Sequence, residues 1–210
     1  MLQGDEEGAR VQIEESLTEV EAAHDDLGRG VMLGALGLLA AHRGQHAEAR
    51  SRFSEGLPLL RGSSGDQWDL ALLLLNAGLE AVQAGRPESG ALLVEALRVW
   101  RHLGVTAGAG LALAGLGQIA AARGAPLLAG GLLGAAQALA EPANALMPVV
   151  VPYDVSSSID IARAAGDHQA FDRGLAQGQG WTFERAVAAG LDEEARLART
   201  SDASSSGRSR

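Results

Sequence analysis

The sequence predicts an all-α fold, an α-solenoid of antiparallel helical hairpins with a period of roughly 40 residues. Three observations carry that prediction. Aromatic residues make up only 3% of the chain while Ala, Leu and Gly dominate, a composition suited to close helix packing and poor in strand formers. Three segments align without gaps: LGLLAAHRG at 36–44, AGLEAVQAG at 77–85 and LGQIAAARG at 116–124. Between turns the apolar spacing is helical, as in the stripe Ala9, Ile13, Leu17 and Val20, with Glu14, Glu15, Glu19 and Glu21 mostly away from it.

The aligned segments each hold two glycines seven apart: Gly37 and Gly44, Gly78 and Gly85, Gly117 and Gly124. The second Gly recurs at positions 4, 44, 85 and 124, with spacings of 40, 41 and 39. It is expected to end a helix in the left-handed cap conformation that only Gly adopts cheaply. The first Gly sits within a helix, at a cost of about 1 kcal/mol against Ala, and a closely approaching neighbour helix would offset that cost. Five residues past each turn stands a small residue (Ala9, Ala49, Gly90, Ala129), and nine past it an apolar one (Ile13, Phe53, Val94, Leu133). These read as a tight crossing followed by a plug.

Helices are therefore expected near 5–22, 29–43, 46–61, 67–84, 87–103, 106–122 and 126–141, making residues 1–141 a run of hairpin repeats whose first is incomplete. Pro142, Pro148 and Pro152 break the pattern. A helical cap over 142–199 follows, with helices near 154–165, 168–178 and 183–198, Asp167 and Thr182 being N-cap candidates. The segment 200–210, TSDASSSGRSR, has the polar, low-complexity composition of disorder.

Charge and composition narrow the function classes. The net charge is −9, which disfavours direct nucleic-acid binding because duplex affinity rests on neutralising phosphates. The absence of Cys removes disulfide and thiolate chemistry. The opening MLQGDEEGAR places acids where a signal peptide needs a basic and then an apolar run, so a cytoplasmic location is expected. Residues 102–122 carry no formal charge, but their five glycines fit the soluble repeat better than a membrane span.

No constellation for catalysis or metal binding stands out, and neither enzymatic activity nor a cofactor is expected. His42 and His46 have the four-residue spacing of paired ligands, yet Gly44 between them should end the helix they would share. His24 beside Asp25 and Asp26 reads as an exposed helix end. Ser156, Ser157 and Ser158 with His168 lack the elbow and strand context of a nucleophile and read as a polar first helical turn. Trp68, Trp100 and Trp181 are expected to pack rather than to stack on a ligand.

The Gly-plus-seven pattern with its small and apolar followers resembles the tetratricopeptide repeat, although the period is longer than the standard one and its aromatic and late Pro positions are absent. GLLGAAQAL at 131–139, AGDHQAF at 165–171 and GQGWTFERAVAAGL at 178–191 are similar to the closing repeat region of actinobacterial LuxR/MalT-type regulators, signal-transduction ATPases that control transcription. The resemblance spans roughly residues 4–191. It implies a protein-interaction or ligand-sensing arm whose ATPase and DNA-binding parts lie outside this sequence; a Walker A motif needs a Lys, and the chain has none. The chain is then expected to be a fragment of a larger regulator. The alternatives are a degenerate remnant without binding function, or an enzyme on a helical scaffold.

Tetratricopeptide geometry further implies a concave face carrying Val31, Leu38 and His42, then Leu72, Leu75, Leu79 and Gln83, then Leu111, Gln118 and Ala122. Such an apolar face needs cover: a protein or peptide partner, the parent regulator's other parts, or the chain's own C-terminal helices.

Overall fold

The computed structural model describes residues 3–63, 67–140 and 153–192. Among them there is no strand. The helices are α1 (Gln3–Ala22), α2 (Asp26–His42), α3 (His46–Gly62), α4 (Gln67–Gln83), α5 (Ser89–Leu103), α6 (Thr106–Ala122), α7 (Pro126–Ala140), α8 (Val155–Ala164) and α9 (His168–Gln179). A tenth, α10, is helical from 183 through 192. The expected Pro-rich break at 142–152 and the tail from 200 lie outside the described residues.

Left-handed glycines set the turns. Gly44, Gly85 and Gly124 have φ of +70°, +65° and +74°, and Gly104 at the α5–α6 turn has +70°. At each, two amides close back on the preceding helix; Gly44 N–H donates to the Ala41 carbonyl at 3.0 Å and Gln45 N–H to Ala40 at 2.9 Å. That pairing satisfies carbonyls a helix end otherwise leaves open. Gly4, expected to be a further turn of this kind, instead lies within α1. The α1–α2 turn uses His24, at φ +56°. Asp25 then caps α2 by accepting from Gly28 N–H at 3.0 Å, so the helix starts three residues earlier than its apolar pattern suggests.

The helical glycines seven before the turns are close-approach sites. A Cβ on Gly37 would lie 2.6 Å from the Phe53 ring, and one on Gly117 2.8 Å from Leu133. On Gly78 it would meet Leu93 at 2.8 Å, rather than the expected Val94. The longer turn at Arg86-Pro87-Glu88 accompanies that slip of one residue. Ala49, Gly90 and Ala129 are buried as anticipated.

From α1 to α9 each helix packs on its chain neighbour, and α2, α4, α6 and α8 also pack successively on one another, the stacking of an α-solenoid. An unusually tight parallel crossing joins α7 and α9. Gly130 and Gly134 of α7 meet the backbone of Phe171 and Leu175 in α9, Gly174 and Gly178 of α9 meet that of Leu127 and Gly131 in α7, and a Cβ on any of the four would lie 2.0–2.2 Å from a carbonyl oxygen across the interface.

The charge-free stretch becomes the centre of the molecule. α6 is contacted by α4, α5, α7 and α8, and Gly190 of α10 rests against Leu113 and Leu116. A helix apolar on all sides is the pattern of a fully enclosed core element. No helix among the described residues is long and apolar enough to cross a membrane.

Candidate functional site

Two hollows open along the even-numbered row. The first is an apolar cleft of 100 Å³ between α2 and α4, lined by Val31, Leu38 and Leu72. It is open because α2 presents Gly30, Gly34 and Ala35 beside the larger side chains. A Cβ on Gly34 would already be 3.0 Å from Leu73, so the two helices nearly touch at its floor. Asp69 is the one charged lining residue, and the Asn76 amide is buried beneath.

Three residues expected on this surface belong elsewhere. Leu75 and Leu79 are fully buried and Leu111 is 8% exposed; all three are core. From Ala71 to Ala81 every α4 residue except Leu72 is buried, so helical periodicity cannot single out an open face there. The Leu79 side chain lies 3.0 Å from where a Gly115 Cβ would stand, which places it against α6. His42 is exposed at the end of α2, outside the cleft lining.

The second hollow lies where α4, α6 and α8 meet, and has two lobes sharing Gln118 and Ile161. One lobe, 380 Å³, is walled by Val82, Ile119 and Ala162, with Arg86 and Arg123 among its lining. The other, 430 Å³, is lined by Gln83, Tyr153, Asp154, Ser157 and Ser158. Gln83 and Gln118 thus do face a shared space, and α8 forms its far wall. Ala122 lines the first lobe. The Tyr153 hydroxyl is buried beside Ser158. Burial pushes its phenol well above the ordinary range, against a smaller opposing influence of Ser158.

The serines are structural. Asp154 caps α8, accepting from Ser157 N–H at 2.9 Å, Ser156 N–H at 3.1 Å and the Ser157 hydroxyl at 2.5 Å. The Ser157 hydroxyl, then the two amides, hold the Asp154 carboxyl below its usual range. Asp167 and Thr182 cap α9 and α10 as expected.

A buried carboxylate escaped the sequence reading. Glu80 of α4 is 1% exposed and bonds the Arg86 guanidinium of the following turn. His46 Nδ1, at the start of α3, is 3.1 Å away. Arg86 also lies 3.3 Å from Glu88, which Arg50 approaches at 3.8 Å. This network pins α3 to the α4–α5 turn; His46 is one of its members rather than an isolated surface histidine. The tryptophans pack: Trp100 is fully buried with Trp68 edge-on at 5.0 Å, and Trp181 lies against Gly131 with Arg185 over its ring at 5.1 Å. Among the described residues no group of three or more His, Asp or Glu side chains could hold a metal ion.

Comparison with protein-family profiles, with curated proteins and with solved structures finds no match for this chain.

Proposed function

We propose that the chain is a non-catalytic helical-repeat interaction module, built of tetratricopeptide-like hairpins with a period near 40 residues. It holds an apolar helical segment of a protein partner against the α2–α4 cleft. One observation carries this reading: Val31, Leu38 and Leu72 form an apolar strip that stays half-buried, while equivalent leucines deeper in the row are enclosed. Residues 31 and 38 are two turns apart on one face of α2, the spacing a docked helix requires. The resemblance to the repeat arm of LuxR/MalT-type regulators supports a place in a transcriptional-regulator system in the cytoplasm, with a regulator's ATPase or DNA-binding part as the partner.

A labelled amphipathic helix with one leucine face and one arginine face, complementing the acidic chain, serves as the probe. Fluorescence anisotropy should show saturable binding to the parent protein, weakened at least about tenfold by Leu72→Glu, since a buried charge without a partner costs more than 1.4 kcal/mol. A sequence-scrambled peptide should not bind. Equal binding to parent and variant, with matching thermal melts, would remove the cleft as the docking surface.

A further inference from the structure

The hollow at the meeting of α4, α6 and α8 is separate from the α2–α4 cleft, and its chemistry differs. We propose that it is a binding site for a small anionic amphiphile: an apolar chain or ring ending in a carboxylate.

The walls select the apolar body. Val82, Ile119, Ile161 and Ala162 line the first lobe. Ile161 is 64% exposed, the most exposed of the large apolar side chains among the described residues. The lobe's 380 Å³ falls within the roughly 300–1,000 Å³ typical of small-molecule pockets.

The charges select the head group. Among the described residues the only charged side chains lining the first lobe are arginines, in a protein whose net charge is −9. Arg86 is committed to Glu80 and Glu88. Arg123 has no ion pair among the described residues, and it stands at the end of α6 where Gly124 turns the chain. A guanidinium beside an apolar wall suits a carboxylate, which it can bind through two parallel hydrogen bonds. Among the described residues no carboxylate lines this lobe to attract a cationic head instead. Asp154 lies in the second lobe, with Gln83 and Tyr153. The ligand's anionic end therefore points to Arg123 and its tail toward Ile161 and the second lobe. There the buried Tyr153 hydroxyl, beside Ser158, can bond a hydroxyl or ether oxygen on the tail.

The test uses the full chain and three probes with ten-carbon chains: decanoate, decanol and decyltrimethylammonium, each below micelle formation. They compete with the fluorescent anionic amphiphile anilinonaphthalene sulfonate, and amide shifts locate binding. Decanoate should displace the dye and move the Gly85 and Gly90 amides, which line the hollow, while leaving Gly30 and Gly34 of the α2–α4 cleft in place. Arg123→Gln should weaken decanoate about tenfold, the scale of one lost charge-assisted hydrogen bond, without lowering the melting temperature. Ala165→Trp, which fills the hollow from an exposed wall position, should abolish binding in a folded protein. The proposal fails if decanol or the ammonium probe competes as well as decanoate, or if either variant binds decanoate like the parent. It also fails if the shifts fall at Gly30 and Gly34. That last result would leave the α2–α4 reading untouched.

Discussion

Adding one methyl group to the α7–α9 crossing should reveal how much of the C-terminal stack depends on glycine. In Gly178→Ala the new Cβ would fall 2.0 Å from the Gly131 carbonyl oxygen, where real Cβ atoms keep at least 3.0 Å. The obstacle is backbone, so no side chain can swing aside, and α9 must retreat by about 1 Å. A retreat of that size forfeits up to half of the ~0.1–0.2 kcal/mol held by each apposed atom pair. Over some tens of pairs the loss is about 2–3 kcal/mol, the upper part of the usual overpacking range. Alanine's better helix propensity returns about 1 kcal/mol, leaving a net destabilisation of about 1–2 kcal/mol. Gly8→Ala is the matched control: it lies in α1 with nothing within 4 Å of its added Cβ, and should stabilise by about 0.5–1 kcal/mol. The four glycines share one interface, so the retreat forced by Gly178→Ala also relieves Gly174→Ala. The double variant should cost less than the sum of the singles by at least about 0.5 kcal/mol. Urea unfolding followed by helical circular dichroism reads all four variants beside the parent. If Gly178→Ala is as stable as the parent, or the two substitutions simply add, backbone contact is not what limits this crossing.

Other sites give independent readings. Gly85→Ala should cost about 1–2 kcal/mol from left-handed backbone strain alone, because no atom lies within 4 Å of the added methyl; an unchanged urea midpoint would contradict the φ of +65°. Glu80→Ala strips the buried partner from Arg86 and should cost about 3 kcal/mol, with calorimetric melting as the check. Asp154→Ala should cost about 1 kcal/mol at neutral pH through loss of the α8 cap. Because the native carboxyl is held below its ordinary value, the parent's advantage over Asp154→Ala is complete above about pH 4 and fades as pH falls through the depressed native range. An advantage that instead grew on acidification would reverse the assigned shift.

The turns were legible in the sequence because a positive φ excludes nearly every residue but Gly, so Gly44, Gly85 and Gly124 announce themselves locally. The close approaches at Gly37 and Gly117 follow from the same logic: a glycine inside a helix needs a neighbour to compensate it. Non-local pairings were not legible. In a chain rich in Ala, Leu and Gly, the spacing of Gly130 to Gly134 carries little information until α9, with its own Gly174 and Gly178, is known to pack against α7. Glu80 has the sequence context of an ordinary surface carboxylate, and only the fold brings His46 and Arg86 to it. The concave-face residues divided for a comparable reason. Val31, Leu38 and Leu72 reach the cleft, while Leu75, Leu79 and Leu111 vanish into the core, because α4 and α6 are apolar nearly all the way round and offer no stripe to orient them.

The enclosure of α6 changes how the molecule should open. In a simple linear array each unit leans only on the one before and the one after, and ends can peel away in sequence. Here a single rod is gripped by helices from both halves of the chain, α10 included. Amide protons of α6 should therefore exchange with solvent only through global unfolding, whereas α1, which packs on α2 alone among the described helices, can fray and re-form on its own.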